Sequence, residues 1–329
     1  MKIRILFLAL LLVLTAAAAV ADETQTVLTS DGVVYAVDNS TRSELRLIRR
    51  VGEERQTLVV PSTEDPALDT QAHLLWDDAM STLFVVWHRS HDRSDQILVT
   101  RLDAEGRWAD PLLVATGSSA KRAGLQTVLA RVGTGETATT LIHVAWWSIN
   151  ADPVAEYALM AFEHGQHIST MVADLKTLAG ANGAADNDYE ATSEVLHPPL
   201  AMARTGAAGV DVVFGSPDST RLTRVILEPK VRADARLWKP SRKGGGITPR
   251  AGLMSANGDP VKAILSEGRI VLYTPDEKFR FVMYNNGAWS PQRMIQLDEK
   301  LTRDAMVQEL RRTVQELELE DEAVQTVIE

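Results

Sequence analysis

Two histidine pairs at three-residue spacing, His88-Arg-Ser-His91 with Asp92 behind it and His164-Gly-Gln-His167, are the first residues whose type and spacing suggest chemistry. Neutral imidazoles three apart on a turn can share a metal ion, but a protein zinc site takes three or four protein ligands. Neither pair has a third and fourth ligand at a recognisable spacing. Both read as exposed turn histidines, and no metal is expected. Asp186-Asn-Asp188-Tyr-Glu190 sets oxygen ligands at alternating positions, as calcium loops do. It lacks the sharp-turn glycine and the distal bidentate glutamate of such loops, and reads as a solvated acidic loop. No Gly-rich phosphate cradle follows a strand and opens a helix, and no Gly-x-Ser-x-Gly elbow is present. Nucleotide-dependent enzymes and ordinary serine hydrolases are disfavoured. No cofactor is expected, and the catalytic residues, if any, are unknown at this level.

Composition narrows the classes further. The 329 residues contain no cysteine, which removes disulfides, thiolate catalysis and Cys-ligated metals together. Stability has to come from a packed core, and an apolar fraction of 45% provides for one. A net charge of -10 argues against a nucleic-acid partner, because such binding rests on clustered Lys and Arg that displace counterions. At the N-terminus, Lys2 and Arg4 precede an apolar run from Ile5 to Leu14, and Ala19-Val20-Ala21 offers a small-residue cleavage site. That order describes a secretory signal peptide over residues 1–21, with an apolar run shorter than a membrane span needs. Export to a bacterial periplasm or beyond is expected, with cleavage near Ala21 and no membrane span afterwards.

The elements that would position any site repeat along the chain. From His73 to Thr116 an apolar run, a polar turn, a second apolar run ending in Trp87, another turn, the alternating Ile97, Val99 and Arg101, and a last apolar run follow one another. Short runs rich in β-branched and aromatic residues between Gly, Pro, Asp and Ser clusters are strands. The same plan recurs from Val128 to Asp174, with Trp146 and Trp147 closing the second strand, from Pro199 to Pro229, closing at Phe214, and from Val261 to Leu297, closing at Tyr273. A weaker copy runs from Val33 to Pro61. Asn286-Gly287 between two alternating runs marks a tight hairpin. Residues 178–195 read as a long surface loop, and residues 230–250 as a basic, turn-rich link with Gly244 to Gly246 flexible.

A four-strand module repeated with aromatics in register predicts an all-β fold, a β-propeller over residues 22–300, with six blades favoured and five or seven left open. The N-terminal strand is expected to close the ring beside a C-terminal blade. Trp87, Trp147, Phe214 and Tyr273, with Trp108 and Trp289, are expected to be wedges between blades. From residue 301 the pattern changes to strong helix formers without Gly or Pro. Val307, Leu310, Val314, Leu317, Val324 and Ile328 fall at three- and four-residue steps, which predicts an amphipathic C-terminal helix able to lie on the propeller or to self-associate.

At Gly106-Arg-Trp108-Ala-Asp-Pro111 and Gly287-Ala-Trp289-Ser-Pro291 the chain resembles the repeats of sialidase-like propellers. The Asp-box of that family, Ser-x-Asp-x-Gly-x-Thr-Trp, is not matched, since Asp103 stands three residues before Gly106 and Trp108 two after it. The family's arginine cluster, tyrosine–glutamate pair and aspartate acid/base have no local motif here, so no catalytic residue is carried over. The sequence therefore leads to a non-catalytic binding or scaffolding module for a glycan or protein partner. The alternative that the resemblance implies is a glycoside hydrolase.

Overall fold

The computed structural model describes residues 26–38, 44–63, 68–91, 94–118, 121–134, 138–149, 154–174, 199–215, 222–231, 238–247, 262–266, 269–274, 278–285, 288–290 and 292–296. The expected signal peptide over residues 1–21, the acidic run Asp186 to Glu190 and the expected C-terminal helix from residue 301 lie outside them.

Every described element is a strand, and the strands form five antiparallel sheets in chain order. The first sheet holds β1 (Thr26–Leu28), β2 (Val34–Asp38), β3 (Arg46–Val51) and β4 (Glu54–Val59). The second holds β5 (Leu68–Asp77), β6 (Thr82–His91), β7 (Ser94–Leu102) and β8 (Leu112–Ser118). The third holds β9 (Lys121–Val132), β10 (Thr139–Ile149), β11 (Val154–Glu163) and β12 (Gln166–Asp174). The fourth holds β13 (Pro199–Thr205), β14 (Gly209–Gly215), β15 (Leu222–Val231) and β16 (Trp238–Ile247). The fifth holds β17 (Lys262–Ser266), β18 (Arg269–Tyr273) and β19 (Lys278–Asn285), and its fourth position is shared by β20 (Ala288–Trp289) and β21 (Arg293–Gln296). Each sheet is a meander in which strands pair with their sequence neighbours, except that β21 pairs with β19, so the repeat read from the sequence is the sheet itself.

The sheets stack because each middle sheet is apolar on both faces. In β6, Leu83, Val85 and Trp87 turn to the first sheet and meet Val33, Tyr35, Val37 and Leu47. Phe84 and Val86 turn the other way, to Ile142, Val144 and Trp146 of the third sheet. Trp147, one residue on, faces the fourth sheet with Tyr157, Val212 and Phe214. Val213 and Leu222 then meet Ile270, Leu272 and Val282 of the fifth. Strand alternation alone produces this, since successive side chains leave opposite faces. The leading strands lie against one another from sheet to sheet, β1 and β2 on β5, β5 on β9, β9 on β13 and β13 on β17.

Of the aromatics expected between sheets, Trp87, Trp147 and Phe214 are buried there, while Tyr273 is buried on the face of the last sheet turned away from the fourth. Trp108 is half-buried and packs on the seam between the first two sheets. Its turn shows what the Gly-x-Trp motif does. Gly106 takes φ +76°, the Asp103 carboxylate accepts the Arg107 N–H at 2.8 Å, and Trp108 bridges back to Leu102. The side chain of Trp289 lies outside the described residues.

Three expectations are corrected. Residues 238–247 are not a flexible link but the fourth strand of their sheet, with Gly244, Gly245 and Gly246 paired to Val225, Arg224 and Thr223. Backbone hydrogen bonds suffice for an outer strand, and glycine supplies them as well as any residue. His88 and His91 are not on a turn, because β6 runs on to His91 and pairs it with Ser94. Among the described residues β1 pairs with β2, and no strand of the last sheet pairs with it.

Trp87 is fully buried, and its indole N–H donates to Asp69 Oδ1 at 2.8 Å. Trp87→Ala is expected to cost about 3–5 kcal/mol in urea unfolding, and Trp108→Ala distinctly less. Equal losses would show that the two rings fill equivalent seams.

Candidate functional site

The ends of β5, β9 and β13 surround a cavity of about 490 Å³, lined by Trp76, Asp77, Asp78, Thr127, Arg131 and Arg204 among others. These residues arrive from three successive sheets because each leading strand ends at the same rim. The strand interiors are committed to the apolar seams, so polar groups collect where the strands stop.

Asp77, the last residue of β5, is 2% exposed. It accepts from Arg131 Nη1 at 2.8 Å, from the Thr140 hydroxyl, and from the backbone N–H groups of Ala79 and Met80 at 3.0 and 3.3 Å. Three of these donors meet Oδ1 and the Thr140 hydroxyl meets Oδ2. Asp77 is thus a buried anion that joins the second and third sheets. Beside it, the exposed Asp78 accepts the Trp76 indole N–H at 2.7 Å. A hydrogen bond from Ser30, then the one from Trp76, hold its carboxyl below the usual range, and the Ser30 bond ties this rim to the first sheet. Trp76 in turn stacks on Tyr35 at 6.2 Å with the planes 24° apart.

Two groups in the wall are uncommitted. Arg204, at the end of β13, is exposed and makes no ion pair among the described residues. The Thr127 hydroxyl is buried and has no hydrogen-bond partner, a condition that costs about 1–3 kcal/mol unless something supplies one. An aromatic ring, a carboxylate, a guanidinium and an unsatisfied hydroxyl thus stand around one opening.

Buried imidazoles lie behind this rim. His143 is fully buried, with Nδ1 at 2.6 Å from the Tyr157 hydroxyl. Its Nε2 lacks a hydrogen bond of sound geometry, although the nearby Ala208 backbone slightly favours the charged form. Burial outweighs this and lowers its pKa to about 3, while the Tyr157 hydroxyl is pushed well up by the same desolvation. Desolvation also lowers His73, half-buried on the leading strand β5, to about 4.

The residues singled out in the sequence are elsewhere. His88 is buried within β6, its Nε2 3.7 Å from Asp95 Oδ2, which corrects its reading as an exposed turn residue. His164 is an exposed turn residue, and His167 is exposed on β12, bonded to Thr170 and edge-on to Phe162. Among the described residues no three His, Asp or Glu side chains converge as metal ligands. The signal that could have found the cavity is Ala130-Arg131 and Ala203-Arg204, the same dipeptide closing the leading strand of consecutive repeats.

No protein-family model matches the chain, and no curated protein matches it. Solved structures give remote likenesses. The chain aligns with a subtype N11 neuraminidase-like protein of influenza A/flat-faced bat/Peru/033/2010 (H18N11) at 10% identity and TM-score 0.42, over 85% of this chain and 75% of that one. It aligns with the polysaccharide lyase Uly1 at 8% identity and TM-score 0.40, over 84% of this chain and 58% of the lyase. The N-terminal domain of Nup159 aligns at 13% identity and TM-score 0.38, over 84% and 66%.

The buried His143 makes stability depend on pH. Its folded pKa lies below the value near 6.5 of an unfolded histidine, so the unfolded chain takes up the proton first as pH falls. The stability it allows is present above about pH 6.5 and is lost progressively below it. Between pH 6.5 and 5 the loss from this group is expected to be about 2 kcal/mol. Urea unfolding of His143→Gln across that window should show a flatter profile than the parent chain. An unchanged slope would contradict this.

Proposed function

We propose that this chain is an exported, non-catalytic β-propeller that binds a glycan or protein partner at the rim where β5, β9 and β13 end. Consecutive meanders with two apolar faces support the propeller reading, because radial packing buries both faces and leaves only short edges. The disc has six sectors, five of them the described sheets, and the leading strands β1, β5, β9, β13 and β17 line its axis. The charged N-terminus, apolar run and Ala-x-Ala site support export to the periplasm or beyond.

The observation that carries the binding reading is the cavity itself, with exposed Asp78 and Arg204, half-buried Trp76 and the unsatisfied Thr127 hydroxyl around it. An aromatic surface with a hydrogen-bond acceptor and a donor fork beside it suits sugar rings and polar peptide groups alike.

Calorimetric titration of the purified protein with a panel of neutral and sialylated oligosaccharides tests this reading, together with an assay for released sugar. Saturable binding is expected, weakened about tenfold or more by Arg204→Ala and by Trp76→Ala, which corresponds to at least about 1.4 kcal/mol. Release of free sugar would favour the hydrolase alternative.

A further inference from the structure

His143 interrupts an apolar seam, the one between the third and fourth sheets. On the same face of β10, Leu141 and Ala145 flank it and pack with Tyr157, Leu159, Val210 and Val212. The imidazole is fully buried, with Nδ1 at 2.6 Å from the Tyr157 hydroxyl, and its Nε2 lacks a hydrogen bond of sound geometry. From the fourth sheet, the turn between β13 and β14 closes over it. The Ala208 backbone stands beside the ring, and Ala208 packs on the same apolar cluster. The turn is tight. Thr205 pairs with Gly209, Gly206 takes φ +59°, and a Cβ on Gly209 would come within 2.9 Å of the Thr205 carbonyl oxygen and 3.1 Å of that of Leu227. Residues 206–208 lie outside the ladder, whereas β10 is held by β9 on one side and β11 on the other. The least costly way to hydrate the imidazole is therefore to lift this turn.

A protonated imidazole has no place in the closed seam. It carries two N–H donors, and Nε2 faces no acceptor of sound geometry. The charges on the two faces do not compensate. Besides the Tyr157 hydroxyl, alternation and register among the described residues set four ionisable groups there. Glu163 pairs with Thr139 two rows from His143, Lys121 pairs with Ile149 three rows the other way, Arg204 precedes the turn, and Arg242 pairs with Leu227 on the outer strand. Three of the four are cations.

We infer that the β13–β14 turn is an acid-released latch, in which protonation of His143 is accommodated by lifting the turn from the third sheet, so that this seam opens locally while the others stay closed. Arg204 stands directly before the turn and in the cavity wall, so the latch moves part of that wall. The inference concerns the hairpin and stands whether or not the cavity takes a ligand. Once lifted, the imidazole is in water and titrates near 6.5, whereas burial holds it near 3 in the closed seam. Lifting therefore takes up a proton below about pH 6.5, and its equilibrium constant rises about 25-fold from pH 7 to pH 5.

Backbone hydrogen exchange of the full chain, read by mass spectrometry at pH 7, 6 and 5 and divided by the intrinsic exchange rate at each pH, measures this opening. For residues 203–211 the opening constant is expected to rise about 25-fold from pH 7 to pH 5, while the β2–β3 hairpin, which holds no histidine, changes little. His143→Gln should make the 203–211 segment flat across this range. Tyr157→Phe, which removes the partner of Nδ1 but leaves the proton site, should raise opening at pH 7 and keep the slope. Three outcomes would overturn the inference: no pH dependence at 203–211, an equal rise in the β2–β3 hairpin, which would mean global unfolding, or a slope that survives in His143→Gln. Should His143→Gln fail to fold, the comparison of the two segments in the parent chain still decides.

Discussion

The structure depends on one constraint: a four-stranded sheet with apolar residues on both faces has to be covered twice. One face of such a sheet meets its predecessor and the other its successor, which commits consecutive repeats to stacking in chain order. Trp146 and Trp147 show how local the instruction is. Adjacent in β10, they leave opposite faces, one to the second sheet and one to the fourth. Each large apolar side chain buried this way contributes about 1.5–3 kcal/mol.

The buried carboxylates of the sheets are paired. Asp69 receives the Trp87 indole and the Arg89 guanidinium, with Arg89 also reaching the Ser62 carbonyl. Asp211 is held by Arg224, and Asp77 by Arg131 and Thr140. An ionised group taken out of water costs several kcal/mol unless it is paired and hydrogen-bonded, so these pairs appear as rivets between elements. Where no seam remains, at the ends of the leading strands, Arg204 and Asp78 face solvent. The cavity is thus a consequence of the stacking.

The repeat was legible because its signals are local. Trp87, Phe214 and Tyr273 close runs of β-branched residues, and glycine and proline mark the turns. β16 was hidden because its glycines and prolines look like a link, although its pairing needs only backbone groups. The extension of β6 to His91 was hidden because His88-Arg-Ser-His91 has no apolar alternation, its place being fixed by pairing with β7. The cavity was hidden for another reason. Arg131 and Asp77 are 54 residues apart, and nothing in the chain short of aligning repeats brings them together. The remote structural likenesses add no residue to this picture.

The stacking claim is tested most directly by comparing Trp146→Ala with Trp147→Ala in equilibrium urea unfolding. The two residues are neighbours in one strand, so local propensity and position are matched and only the face differs. Coverage on both faces requires that each substitution lose about 3–5 kcal/mol. If one of the two were tolerated at little cost, the third sheet would have an open face, and the serial stacking from which the fold and the cavity are derived would be wrong.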